Sequence, residues 1–290
     1  MRINRKTIQK KIGIYIYRTA FKIRDIFSKD KNDSIKLFWY KSEQNFGDSL
    51  NPILLNKLTG KNIEFVKSYS PQEHLFAIGS ILEAAIGDTI VWGSGFISEN
   101  GHCFEKPKKV CAVRGPKSRE ILINDGIECP KVYGDPALLL PKIYSPSINK
   151  KYKLGIIAHY IDKDNKWLKN LKQNHEITII DIQNPNIFSF IDEVLSCEKV
   201  ASSSLHGLIV ADAYNIPSLW VEFSDKVIGN GFKFLDYFLS VKRKDTKPLI
   251  INKEISIEDI AKHFYDYQID IDLDKLLDAA PFEIKNNMLL

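Results

Sequence analysis

The chain has 290 residues and is 44% hydrophobic, enough to bury a sizeable core as one large domain or two of ordinary size. Its net charge of +5 is uneven: residues 1–34 hold ten of the 41 Lys and Arg side chains but three of the 36 Asp and Glu, so the body is slightly acidic, which argues against a general nucleic-acid binder. The four cysteines (Cys103, Cys111, Cys129, Cys197) are scattered with no CxxC pair, which points to free thiols in a reducing compartment and away from a structural zinc site.

Taken in chain order, the leader "TIQKKIGIYIYRTAFKIRDIF" is broken by Lys10, Lys11, Arg18 and Lys22 and forms neither a signal peptide nor a membrane span. As a helix it is basic and amphipathic, suited either to an anionic membrane surface or to packing on the body. From residue 35 short apolar runs alternate with helical patterns. "IKLFWY" (35–40) precedes "NFGDSLNPILLNKLTG", with a cap-like Asp48, Pro52 in an early turn and Gly60 as its stop. Strand-like "IEFV", "HLFAIGSIL" (74–82), "TIVWGSGF" (89–96) and "KVCAVRG" (109–115) follow, then a helix from Pro116 and the closing "KVYGDPALLLP".

A polar stretch at 142–152 reads as a linker, after which the pattern restarts with "KLGIIAHY" (153–160), a polar helix around 163–174, "EITIID", a helix at 187–196, "KVASSS", a helix at 205–215 and "SLWVEF". Short continuous apolar strands spaced by helices mean parallel sheets covered on both faces. The expected fold is α/β, two Rossmann-like domains facing a cleft. The expected division is a basic segment at 1–34, a first domain at 35–145 and a second at 146–290, closed by a helix over 255–267.

Ligands of open parallel sheets bind at the carboxyl ends of the strands. Those ends carry Asn45-Phe46-Gly47-Asp48, Gly79-Ser80, Gly93-Ser94-Gly95, Arg114-Gly115, Gly134-Asp135, His159 and the run Ser202 to His206. No GxGxxG dinucleotide fingerprint and no GxSxG nucleophile elbow is present. Ser203 or Ser204 as N-cap leaves free amides beside His206, an arrangement that attracts anions. With Arg114 from the first block and Lys226 from the second, the set suits a phosphate or a carboxylate.

The motifs "NFGDSLNPILLNKLTGK", "VWGSGFI", "AVRGPKSREIL", "YGDPALLLP", "LGIIAHYIDKDN" and "SSSLHGLIVADAYNIP" together resemble the polysaccharide pyruvyl transferase family, from about Asn45 to about Lys226. The resemblance implies a two-domain, GT-B-type enzyme. Its reaction would move the enolpyruvyl group of phosphoenolpyruvate onto two sugar hydroxyls as a cyclic ketal, releasing phosphate. The acceptor would be a lipid-linked or polymeric glycan, the setting the cytoplasmic face of the cell membrane.

Carried over by motif, His206 and Arg114 are the expected catalytic residues, and Arg114, Lys226, Ser203 and Ser204 the expected phosphoenolpyruvate ligands. Asn45, Gly47, Asp48, Ser94, Asp135 and His159 are placed near the acceptor or in the cleft loops. This chain reads "SDK" where the family has a "DPK"-like segment, and Ala158 where "PHY" is frequent. Ketal formation needs a proton at the methylene carbon, and a histidine suits that step because its unperturbed pKa is near 6.5. No metal or other cofactor is expected. The alternatives are a nucleotide-sugar glycosyltransferase on the same architecture and a non-catalytic glycan-assembly protein.

Overall fold

A computed structural model describes residues 13–14, 16–19, 33–171 and 174–288. The first domain is a five-stranded parallel sheet of β1 (Ser34–Leu37), β2 (Asn62–Phe65), β3 (His74–Phe76), β4 (Thr89–Trp92) and β5 (Lys109–Ala112), in the order β2-β1-β3-β4-β5. Its strands are shorter than the apolar runs suggest. "HLFAIGSIL" leaves the sheet after Phe76 and turns at Gly79, whose φ of 121° lies in the region that favours glycine.

Helix α1 (Phe46–Thr59) buries Leu50, Leu54, Leu55 and Leu58 on one face and ends at Gly60 in the left-handed conformation. Pro52 sits in the second turn of this helix, where it cannot donate to the carbonyl of Asp48. Buried Asn51 compensates in part, its amide reaching the Asp48 carbonyl at 3.5 Å. Its amide donates to the Gly47 and Ile78 carbonyls, both at 3.1 Å, and its Oδ1 accepts from the Ile78 N–H at 2.9 Å. The start of α1 is thereby fixed to the end of β3. Helix α2 (Pro116–Asn124) follows β5 with Pro in its first turn, as expected.

The second sheet comprises β6 (Tyr152–Ile157), β7 (Ile177–Ile179), β8 (Cys197–Ser202), β9 (Ser218–Glu222) and β10 (Leu249–Ile250), ordered β10-β9-β8-β6-β7 and parallel throughout. Helices α3 (Ile187–Leu195), α4 (Leu205–Ala213) and α5 (Phe232–Ser240) belong to it. Counted from its own first strand, each sheet runs 2-1-3-4-5. In that order the connections leave in opposite directions from the first and third strands, which opens a crevice between their carboxyl ends.

The two sheets share a continuous apolar core in which the Phe46 and Phe190 rings lie 4.3 Å apart. The Phe46 N–H also donates to the Ile182 carbonyl at 3.0 Å. The closing helix expected over 255–267 is one short helix at Ile257–Lys262. Beyond it the chain returns to the first domain: α6 (Leu273–Asp278) accepts at its Leu276 carbonyl from the Trp92 indole N–H at 2.8 Å, and the Lys285 N–H donates to the Leu58 carbonyl at 2.9 Å.

Most of the basic leader falls outside the described residues, and with it the membrane-surface expectation. Its described part is helical and packs on the first domain. Arg18 pairs with Asp88 and with Glu105, and Tyr17 meets Tyr69 edge-on at 5.3 Å. Among the described residues no helix is long and apolar enough to cross a membrane.

Candidate active site

A cavity of about 360 Å³ opens where the crevices of the two sheets meet. The first domain lines it from beyond β1 (Tyr40, Asn45, Asp48) and beyond β3 (Gly79, Ser80); the second from beyond β6 (His159, Tyr160) and beyond β8 (Ser204, Leu205, His206). Chain order thus brings four strand ends to one place. A larger depression of about 520 Å³ lies by the opposite ends of the first sheet, against Ser34, His74 and Phe282. It is at the wrong end of the strands for a ligand of this fold and contains no buried polar atom lacking a partner among the described residues.

His206 is the second residue of α4 and only 8% exposed. Its ring lies flat against Gly47: a Cβ there would come within 2.1 Å of the imidazole Cε1. Nε2 faces Asp135 Oδ2 at 3.7 Å, and neither atom has a hydrogen-bond partner. Asp135 is fully buried and fixed by its other oxygen, which accepts the Ala137 N–H at 3.0 Å and caps a short turn packed on α4. A buried imidazole nitrogen and a buried carboxylate oxygen that both lack partners are costly to keep unless a ligand or a proton closes the gap.

Asp48, in the first turn of α1, is half-buried. The N-cap is Asn45, whose side chain makes no cap bond; its amide donates to Asp48 Oδ2 at 3.4 Å, and Asp48 lines the cavity. Burial pushes its pKa up to about 6, while His206, the Tyr40 backbone and Asn45 pull the other way. The oxygen of the Asn45 amide is buried and unpartnered as well.

Across the cavity His159 accepts the Ile161 N–H on Nδ1 at 3.4 Å, which leaves its proton on Nε2. Burial, and then the Lys233 ammonium, lower its pKa to about 4. Lys233, in the first turn of α5, lines the same cavity and is lowered to about 8 by burial and by neighbouring Arg114. No carboxylate lies within ion-pair distance of Lys233 among the described residues.

Several expected ligands are placed elsewhere. Arg114 is fully buried behind the wall, not in the cavity: Nε donates to Asp236 Oδ2 at 3.1 Å, Nη2 to the Phe96 carbonyl at 2.7 Å and Nη1 to Ser80 Oγ at 2.6 Å. A guanidinium so engaged has little left for a substrate; it holds Ser80, which does line the cavity. Lys226 is exposed and outside the lining; Lys233, seven positions on, is the cation at the cavity.

Ser203 uses its Oγ to accept the His159 N–H at 2.8 Å, holding that loop, and lines a separate crevice by Trp220. Ser204 is the N-cap of α4 and lines the cavity, with a side chain that makes no cap bond. Ser94 is fully buried and donates to the Ala77 carbonyl at 2.7 Å, a clamp between strand ends. None of the four cysteines reaches the cavity, and burial raises Cys129 to about 12 and Cys197 to about 11, so they are inert thiols.

Sequence reasoning missed Lys233, Tyr40 and Glu83 in the lining. The one local signal for Lys233 is the turn Gly229-Asn230-Gly231, three consecutive residues at positive φ that redirect the chain just before α5.

A family model described as polysaccharide pyruvyl transferase matches residues 11–225. The chain is 29% identical over 241 residues to uncharacterized protein L143 of Acanthamoeba polyphaga mimivirus, covering 78% of this chain and 83% of that one. It is 25% identical over 207 residues to the succinoglycan biosynthesis protein ExoV of Rhizobium meliloti (strain 1021), covering 69% of this chain and 62% of that protein.

Proposed function

Since the chain belongs to the polysaccharide pyruvyl transferase family, we propose that its shared cavity moves the enolpyruvyl group of phosphoenolpyruvate onto a glycan as a pyruvate ketal, with release of phosphate. The observation that carries this reading is His206: an imidazole nine-tenths buried, partnerless at Nε2 beside the unpartnered Oδ2 of Asp135, in the lining of a cavity that both sheets form. We also read the two sheets facing across that cavity as a GT-B-type arrangement.

In this reading the donor lies at the second-domain wall. Lys233, Ser204 and the free amides at the start of α4 receive its phosphate and carboxylate, with neutral His159 donating from Nε2. Protonated His206 delivers a proton to the methylene carbon, which leaves a cationic centre at the neighbouring carbon for a sugar hydroxyl to attack. Asp135 holds the imidazolium before it gives up its proton and fixes which nitrogen carries that proton, the part a buried carboxylate plays behind a catalytic histidine. The 3.7 Å gap is expected to shorten to a hydrogen bond when the ring is charged. Arg114 positions Ser80 and is not a ligand.

The test is release of inorganic phosphate from phosphoenolpyruvate in the presence of aryl glycosides or lipid-linked glycans. Wild type should release it, and His206→Asn should not. Release of nucleotide from a nucleotide-sugar donor instead would establish a glycosyltransferase, and undiminished activity in His206→Ala would remove the acid from the mechanism.

A further inference from the structure

The lining of the cavity is divided by charge. Every residue it takes from the first domain is acidic or neutral: Asp48, Glu43 and Glu83 with Tyr40 and Asn45, and no Lys, Arg or His. Its titratable side chains from the second domain are Lys233, His159, His206 and Tyr160, with no carboxylate. A trianionic donor is repelled by the first wall and drawn to the second, so the acidic wall is left for the other substrate.

Polar groups at that wall await hydrogen-bond donors. The buried Asn45 oxygen has no partner, and two carboxylates reach open solvent. Tyr40, 47% exposed and fixed edge-on against Phe38 at 5.3 Å, presents an aromatic face to which the C–H face of a sugar ring can pack. Acceptor-only carboxylates beside an aromatic platform suit a polyhydroxylated ring that carries no negative charge of its own.

We propose that the first-domain wall is the acceptor subsite, that it takes a pyranose without a carboxylate, and that Asp48 is the base for the attacking hydroxyl. This rests on the pyruvyl-transfer reading above. The protons then balance. In the first step the hydroxyl oxygen bonds to C2 of the enolpyruvyl group, its proton passes to Asp48, and the C2–C3 electron pair takes a proton from His206 to make the methyl group. In the second step the C2–O bond to phosphate breaks, and phosphate leaves with the electron pair and the proton held on Asp48. The second hydroxyl bonds to C2 and returns its proton to His206. Both side chains end as they began, with one hydroxyl proton on the methyl carbon and one on phosphate. The same charge division rejects a sugar already bearing a pyruvate carboxylate, so each acceptor residue is modified once.

The experiment compares p-nitrophenyl hexopyranosides with the matching p-nitrophenyl uronides on the intact chain, following phosphate release from phosphoenolpyruvate. Hexosides are expected to serve and uronides to fail. Asp48→Asn is expected to lower kcat by about 10²–10⁴-fold with phosphoenolpyruvate affinity within about threefold of wild type. Glu83→Gln, at an exposed position where folding is not at stake, should raise the hexoside KM and leave kcat in place. Uronides used as well as hexosides, or Asp48→Asn within about threefold of wild-type kcat, would overturn the proposal. If wild type released no phosphate with either series, the transfer reading would fall. Ligand-observed NMR would then decide the wall alone, with preferential binding of hexosides supporting it and equal or absent binding removing it.

Discussion

The imidazole of His206 occupies the space that a side chain at position 47 would need, with only 2.1 Å between the ring and the place of a Cβ. The glycine of the "GD" motif is required by close approach across the domain boundary, from α1 of one sheet to α4 of the other. Gly47→Ala should displace the ring and lower activity by at least about 10²-fold, the scale of a misplacement near 1 Å. The assay is phosphate release, with thermal unfolding confirming a folded variant. Wild-type turnover would mean that the ring tolerates the shift.

Arg114 and Asp236 form a fully buried pair at 3.0 Å, and Asp236 also accepts from the Ser118 N–H at 2.9 Å and the Ser118 hydroxyl at 2.6 Å. The pair joins β5 and α2 of the first sheet to α5 of the second. Gly115 permits this contact, since a Cβ there would lie 1.9 Å from the Asp236 carbonyl oxygen. Removing one partner strands the other in the core, so Asp236→Ala or Arg114→Met should cost about 3–5 kcal/mol. Urea unfolding measures it. Were Arg114 chiefly a ligand for the donor, the loss would instead appear in affinity with stability retained.

Two cavity groups give stability opposite pH slopes. Asp48 titrates near 6 in the fold against 3.8 ordinarily, so the fold holds its proton more tightly than the unfolded chain does. Its contribution is full below 3.8 and lost as pH rises through about 6. His159 runs the other way. With a folded value of about 4 against 6.5, its contribution is full above 6.5 and lost as pH falls toward about 4. Asp48→Asn should therefore stabilise the free protein at pH 7.5 by about 1–3 kcal/mol while removing activity, and do little at pH 3.5. His159→Asn should flatten the acid limb. Urea midpoints across pH 3.5–8 check both signs.

Lys233 is lowered to about 8, so the ammonium is charged at neutral pH beside another cation. An anion relieves that repulsion. Phosphoenolpyruvate affinity should be level below pH 7 and weaken as pH rises through about 8, and Lys233→Met should abolish that dependence with at least about a tenfold loss. Titration calorimetry on Lys233→Met and Lys226→Ala separates the two lysines, and the larger loss is expected at 233.

Much of this molecule was legible from its amino acids because the signals were local. Short apolar strands, Gly60, Pro116 and the Ser204–His206 junction each act within a few residues of themselves, and they fixed both parallel sheets and the histidine. What escaped depends on contacts across the chain. Arg114 reads as a ligand until Asp236, 122 positions later, claims its guanidinium. Lys233 reads as the polar side of an amphipathic helix until α5 is laid against α2. The strands are shorter than their apolar runs for a related reason: the runs at 74–82 and 89–96 continue beyond the sheet into loops that are themselves buried.

The return of α6 to the first sheet means that the polypeptide crosses between its halves more than once. The connection at 144–151 is covalently important but mechanically redundant, because Trp92 grips Leu276 and Leu58 grips Lys285 from a strand and a helix on the far side. A single protease nick in that connection would leave two fragments laced together, each carrying part of the other's wall. The pair should co-purify and still turn over substrate, as a naturally split enzyme would.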